Sequence, residues 1–376
     1  MISEDFLPYI GGISHHVIKL SSALARRGHS VHLLARIPYG YKPVSTELES
    51  VKNLLVPTHT FEQGILYGLR HVEFLARGIN SMKSLMRHNE FDIVHWHGLW
   101  SDSAFAAYSR RISSAKLVFT NHSSMFLEFF SNKLKCKFIK VFLTKPDICI
   151  APSVELADKY KSVFKHVNTI FISNGVDLKT FGSPSDKLKA RLTLGLPKEG
   201  IIVACPRRLC QKNGVHYLLK AIPYVPENQR PLFVVAGDGP MASDLKNLAE
   251  TLKVTKHVRF VGAIPYDKMP IFYAASDFAV IPSLLEATSL AALEAMAGGL
   301  PVIASAVGGL NDLLENNDAG ILVPPANSQV LATAITSLTT NSDSRKRMSV
   351  SAKNFALKYS WDEVALQTEN AYKSLF

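Results

Sequence analysis

Short apolar runs alternate with stretches of helical periodicity along almost the whole chain. The apolar runs fall at 31–35, 93–96, 117–120, 148–151 and 169–173, and after a break at 201–205, 233–236, 258–261, 278–281, 302–304 and 321–323. They are largely continuous rather than alternating with polar residues, which is the pattern of strands covered on both faces in a parallel sheet. Between them lie helical stretches such as 14–27, 215–222, 241–252 and 290–297. Repeated alternation of this kind predicts an α/β fold of doubly wound sheets.

Two sheets can be counted, with the seam between about 174 and 200. That segment holds Gly182, Pro184, Gly195 and Pro197 and has no strand signal. A helical tail from Ser344 leads to a last helix, 361–376, after Ser360 as a plausible N-cap and with Asp362 and Glu363 in its first turn. At the start, only Met1, Ile2 and Ser3 precede the loop-like segment 4–12. Either the first strand is very short or the true start lies upstream.

Composition sharpens this picture. The 376 residues are 47% hydrophobic and 19% charged, which excludes a disordered or collagen-like chain and matches two to three domains with large cores. The net charge is +11. Residues 1–180 carry 22 Lys and Arg against 14 Asp and Glu, and the remainder 20 against 17, so the first half should meet the more anionic partner. Cys136, Cys149, Cys205 and Cys210 form no CxxC pair and no disulfide framework, which points to a reducing compartment. No basic, apolar, cleavable leader opens the chain. The most apolar stretch, 271–310, is interrupted by Asp277, Glu286 and Glu294, so it reads as strands and helices rather than a membrane span.

The strongest chemical signal is the run from Pro282 to Pro301. A strand ends at Pro282, and Glu286 falls in the loop at its carboxyl edge, where ligands of open α/β sheets bind. Thr288 or Ser289 can cap a helix built from Leu290 to Ala297, with Gly298 or Gly299 to end it and Pro301 to prevent continuation. The helix N-terminus then offers free N–H groups and positive dipole to a phosphate. Glu294 lies on this helix, eight residues after Glu286. Either carboxylate alone would read as a surface residue; the combination does not.

A second signal, Arg207-Arg208-Leu209-Cys210-Gln211-Lys212-Asn213-Gly214, follows the strand at 201–205 and precedes a helix. Two cations on one strand-to-helix loop suit a diphosphate, Arg bidentately and Lys as a point charge, although a solvated basic loop has the same composition. Gly11-Gly12 precedes the amphipathic helix at 14–27 and allows close approach of an anion, but it is not the GxGxxG fingerprint. An NAD-dependent oxidoreductase is therefore disfavoured. His95 and His97 share a face of one strand, and His122 ends the next. A metal site is the lesser reading, because no carboxylate or Cys is placed with them. A single His that hydrogen-bonds a substrate is preferred, with His122 best placed. The lysines of 131–142 interleave with apolar residues, and 70–88 is basic and amphipathic. Both fit an anionic membrane surface or a solvated helix face equally well, and neither carries a nucleic-acid-binding motif.

At these residues the chain resembles the retaining nucleotide-sugar glycosyltransferases of family 4. The resemblance rests on the Glu-x7-Glu run Glu286–Glu294 with Ala295-Met296-Ala297 and Gly299-Leu300-Pro301. It is supported by Arg208-Leu209 with Lys212 and Gly214, Asn174-Gly175-Val176-Asp177, Gly237-Asp238-Gly239-Pro240, and Gly11-Gly12. It implies the GT-B fold: two Rossmann-like doubly wound domains facing across a cleft, 1–178 on the acceptor side and 179–356 on the nucleotide-sugar side. A terminal helix, 357–376, would cross back to the first domain. It implies a catalytic set of Arg208, Lys212, Glu286 and His122. Arg208 and Lys212 would hold the leaving diphosphate, Glu286 would contact the transferred sugar, and His122 would face sugar and acceptor. Donor binding would fall to Gly11, Gly12, Ser289 and Leu290 through their amides, Glu294 through the ribose, and Ile264 at the base. No cofactor and no metal is implied. Where the family usually has Gly-Phe-Gly after the first Glu, this chain has Ala287-Thr288-Ser289, which restricts φ where Gly is free.

The function expected is transfer of a sugar from a UDP- or GDP-sugar to a saccharide or lipid-linked acceptor, with retention. The expected setting is the cytoplasm, with peripheral attachment to the inner face of the membrane through the basic first domain as an option, and without nucleic acid. A nucleotide-sugar epimerase of the same architecture and a non-catalytic sugar-nucleotide-binding protein are the competing readings.

Overall fold

The computed structural model describes residues 1–3, 12–37, 58–62, 70–99, 101–122, 143–183 and 186–376. The chain forms two compact units. Unit 1 comprises Met1–Gly175 with Trp361–Phe376, and unit 2 comprises Val176–Ser360.

Unit 1 contains a parallel sheet of seven strands: β1 (Ile2–Ser3), β2 (Leu33–Ile37), β3 (Thr58–Glu62), β4 (Ile93–Trp96), β5 (Lys116–Thr120), β6 (Ile148–Ala151) and β7 (Asn168–Phe171). Their order is β3-β2-β1-β4-β5-β6-β7. Five of these match the apolar runs. β3 escapes that pattern because Thr58-His59-Thr60-Phe61-Glu62 is mostly polar, and it lies at the sheet edge. β1 is two residues long yet central, with Ile2 paired to Leu34 on one side and Trp96 on the other. The helix Gly12–Arg26 buries Val17, Leu20, Ala23 and Leu24. The last helix, Trp361–Lys373, packs beside it in one core with Val118, Ile148 and Ile150. Polar clamps hold the pair. Arg27 Nε donates to Glu369 at 2.6 Å, and Lys373 bonds the same carboxylate. Hydrogen bonds from those two cations drop the Glu369 pKa to about 2.

Unit 2 contains a six-stranded parallel sheet of β8 (Ile202–Pro206), β9 (Leu232–Ala236), β10 (Val258–Gly262), β11 (Phe278–Ile281), β12 (Val302–Ser305) and β13 (Gly320–Val323), in the order β10-β9-β8-β11-β12-β13. The continuous apolar character of the strands has a direct structural reason. Alternate residues enter different cores: Val203, Cys205, Phe278 and Val280 on one face, Ile202, Ala204, Ala279 and Ile281 on the other. The seam segment holds two short helices, Leu178–Phe181 and Lys187–Thr193, capped by Asp177 and Asp186. Among the described residues, no helix is long and apolar enough to cross a membrane. Cys149, Cys205 and Cys210 are free thiols.

Candidate functional site

In unit 2 the strand order reverses between β8 and β11, so a crevice opens at their carboxyl ends. The loops that follow these two strands carry the two strongest sequence signals, and the fold knits them together. The backbone carbonyl of Lys212 accepts from Leu284 N at 2.7 Å and Leu285 N at 3.3 Å. Gly214 sits at φ +66°, and a Cβ there would lie 1.8 Å from the Pro282 carbonyl oxygen. Gly214→Ala is therefore expected to destabilise unit 2 by more than about 2 kcal/mol, from left-handed strain plus the clash. Chemical denaturation followed by far-UV circular dichroism measures it, and an unchanged midpoint would contradict this packing.

The side chain at the centre of the junction is Arg207. It is buried, and its Nη2 donates to Asn213 Oδ1 at 3.0 Å, to Ser283 Oγ at 2.5 Å and to the Glu286 carboxylate. Ser283 Oγ also donates to Glu286 at 3.3 Å. Glu286 is thus held from beneath, with its side chain 16% exposed at the crevice. Arg208 and Lys212 are exposed on the same loop. Asn213 Nδ2 donates to the Arg208 carbonyl, and Leu209 N donates to Asp238 O, so the loop backbone is braced independently of the Arg208 side chain. The Gly237–Pro240 turn lies directly behind it: a Cβ on Gly237 would meet Arg207 O at 2.1 Å.

Ser289 caps the helix Leu290–Ala297 by accepting from Ala292 N at 3.3 Å. This leaves the first amides of that helix, Leu290 included, without an intrahelical partner. Glu294 is buried on the helix, and Tyr273 Oη donates to it at 3.0 Å. Burial pushes its pKa up to about 7. Ser289 has φ −112°, and none of residues 287–289 takes a positive φ, so the loss of the family's glycines is accommodated. A close approach lies at Gly309, where a Cβ would lie 2.7 Å from Ala287 O. Ile264 is half-buried against the unit 2 core in the loop after β10, two strands away from β8.

In unit 1, Gly12 is the exposed first residue of its helix; Gly11 and the lysine-rich stretch 131–142 lie outside the described residues. His122 follows β5, and its Nε2 lies 3.1 Å from His97 Nδ1. His95 and His97 do share a face, with ring centroids 4.3 Å apart. His95 is bonded through both ring nitrogens, to Tyr372 Oη and Thr120 Oγ1, each at 2.6 Å. His16, on the first helix, joins the group with its ring 4.5 Å from that of His122. Burial lowers all four imidazole pKa values, that of His16 to about 4.

These shifts act in opposite directions on the two units. As pH falls through 6.5 the unfolded chain protonates these histidines, while burial in folded unit 1 disfavours their charged forms. Their contribution is complete above about pH 6.5 and is lost on acidification, by up to about 1.4 kcal/mol per histidine per pH unit. Glu294 is the reverse case. Its folded pKa is raised, so its contribution is complete below about 4.5 and is lost as pH rises through 7. Trp96 and Trp361 lie in unit 1, and residues 176–360 of unit 2 include no tryptophan. The thermal midpoint read by tryptophan fluorescence should accordingly fall between pH 7 and pH 5; a flat profile would refute neutral burial of the cluster.

Sequence reasoning missed three of these residues. Arg207 was passed over for Arg208, although Arg207 directly follows β8 and continues its buried line. Tyr273, the partner of Glu294, carried no signal of its own. His16 had one, since its helical spacing to Leu20 and Ala23 sets it on the buried face of the first helix.

Comparison with known proteins gives the family and the fold. The Glycosyltransferase Family 4 model matches residues 10–180, and the Glycosyl transferases group 1 model matches residues 186–355. Between them they take in nearly the whole chain, which belongs to this family of GT-B glycosyltransferases. The chain is 28% identical to an uncharacterized glycosyltransferase of Methanocaldococcus jannaschii, over 99% of this chain and 97% of that one. It is 27% identical to the D-inositol 3-phosphate glycosyltransferase of Corynebacterium urealyticum, over 97% and 91%. Among solved structures, sucrose-phosphate synthase from Thermosynechococcus elongatus superposes with a TM-score of 0.81 at 25% identity, covering 100% of this chain and 95% of that one. HepE from Anabaena, solved in complex with UDP-glucose, shares the fold with a TM-score of 0.78 at 21% identity, covering 99% of both chains.

Proposed function

We propose that this glycosyltransferase transfers a sugar from a UDP- or GDP-sugar to a saccharide or lipid-linked acceptor with retention at the anomeric carbon. The observation that carries the reading is the junction at β8 and β11. Two exposed cations, Arg208 and Lys212, stand on a braced loop hydrogen-bonded to the loop of Glu286, which leads into the capped helix of Glu294. That arrangement suits a nucleoside diphosphate, with Glu294 facing the ribose, the helix amides and cations on the phosphates, and Glu286 at the sugar. UDP-glucose bound to HepE, a protein of the same fold, supports a nucleotide-sugar donor.

In the mechanism we propose, the bond from the anomeric carbon to the diphosphate oxygen breaks as the acceptor oxygen approaches on the same face. The acceptor's proton passes to the departing phosphate. Arg208, Lys212 and the helix N-terminus stabilise the charge that builds on the leaving group. His122, with Gly12 at the head of the first helix, would serve the sugar and acceptor from unit 1. With two side-chain cations at the diphosphate, EDTA is expected to leave turnover intact. Activity abolished by EDTA and restored only by a divalent ion would overturn that part. The basic helix Arg70–His88 supports attachment to an anionic membrane surface near a lipid-linked acceptor.

The test is a thermal-shift screen of UDP-, GDP- and ADP-sugars, followed by product analysis with and without acceptor. One cognate donor should raise the melting temperature, and a glycoside retaining the donor's anomeric configuration should form only with acceptor. A changed sugar formed without acceptor would identify an epimerase, and binding without turnover a sugar-nucleotide receptor.

A further inference from the structure

The histidine group in unit 1 exceeds what a single substrate contact requires. His16, His97 and His122 each offer one ring nitrogen, and the three nitrogens lie within 4.8 Å of one another. They come from three separate elements: the first helix, the end of β4 and the end of β5. His95 stands apart, because both of its ring nitrogens are engaged.

The protonation pattern is that of a ligand set. His16 Nδ1 lies 2.6 Å from Asn174 Oδ1. The amide oxygen accepts, so the proton is on Nδ1 and Nε2 carries a lone pair. That Nε2 is buried without a hydrogen-bond partner, on a residue only 3% exposed. An orphaned acceptor in a buried cluster is costly unless something meets it. His97, 2% exposed, faces the cluster with Nδ1, so its unpartnered Nε2 is the nitrogen that keeps the proton. A histidine fixed through its second nitrogen by a side-chain or backbone oxygen is the usual outer-shell arrangement around a metal. His97 Nδ1 and His122 Nε2 are 3.1 Å apart; two nitrogens on one tetrahedral zinc ion, at about 2.0–2.1 Å each, would be roughly 3.3 Å apart. Burial keeps the imidazoles neutral, as coordination demands. An all-imidazole set favours zinc-like ions over magnesium or calcium, which take oxygen ligands.

We propose that His16, His97 and His122 form a binding site for one divalent transition-metal ion of the zinc class, with a fourth position open to water or an oxygen ligand. Asn174 is a positioning residue for His16. The site is separate from the cations at the diphosphate and does not depend on the transferase reading. One consequence does rest on that reading: zinc would occupy His122 and so inhibit transfer, reversibly with EDTA.

The test is titration of the full, metal-free chain with zinc against a chromophoric chelator of micromolar affinity. One equivalent per chain should be withdrawn from the chelator. His16→Gln and His97→Gln should weaken binding at least about 100-fold, Asn174→Ala about 10–100-fold, and His166→Ala, at an exposed position, not at all. Failure of the unaltered chain to compete, or unchanged binding by a folded His97→Gln protein, would overturn the site. Should the His variants fail to fold, the unaltered chain loaded with cobalt(II) decides. Intense visible bands of a four-coordinate ion are expected, and a weak six-coordinate spectrum would refute the proposal.

Discussion

Lys212→Ala and Arg208→Ala are each expected to lower kcat by about 10²–10³-fold, the usual effect of removing one preorganised group that stabilises transition-state charge. The melting temperature should barely move. Both side chains are exposed, and the backbone makes structural hydrogen bonds at both positions: the Lys212 carbonyl receives Leu284 N and Leu285 N, and the Arg208 carbonyl receives Asn213 Nδ2. Truncation at Cβ leaves those bonds in place. Because the cations act on charge that grows as the diphosphate departs, the loss should fall mainly on kcat rather than KM. Near-normal turnover by either variant would remove the leaving-group argument.

Arg207→Met is expected to behave in the opposite way and to damage the fold first. Arg207 touches Asn213, Ser283 and Glu286 from a buried position, and its loss leaves a half-buried carboxylate with one hydroxyl donor. Breaking a buried pair on one side costs about 3–5 kcal/mol. The partial exposure of Glu286 sets the expected value toward the lower end. The double variant Arg207→Met with Glu286→Leu should recover much of that stability, since no charge is then stranded, but it should not recover activity. Urea denaturation of the single and double variants gives the coupling. Strictly additive losses would mean that the pair is not energetically linked, and that Glu286 is oriented by something other than Arg207.

The distinct roles of two adjacent arginines indicate where sequence reading stops. Arg207 and Arg208 are equivalent as residue types on a basic loop after a strand. Their difference arises because Glu286 and Ser283 reach only one of them, from 79 and 76 positions away. The histidines repeat the lesson. His95, His97 and His122 could be singled out from strand alternation, but the partner of His16 is 158 positions distant. Pairing His95 with Tyr372 requires the last helix to lie beside the first. The helix of Glu294 was legible almost to the residue, because its N-cap, its helix formers and its terminating glycines are local.

The sequence by itself determined eleven of the thirteen strands among the described residues, the helix of Glu294 and the covering of the strands on two faces, and it singled out the loops proposed to carry chemistry. Each of those properties is encoded by neighbours a few positions apart, through side-chain periodicity and the backbone preferences of Gly, Pro and capping residues. Only the tertiary structure decided that β1 is a two-residue central strand, that a polar segment forms β3 at the edge, that Arg207 rather than Arg208 grips Glu286, and that three histidines converge. Those outcomes depend on burial and on hydrogen bonds between distant segments, whose free energies come into being only when the chain is packed.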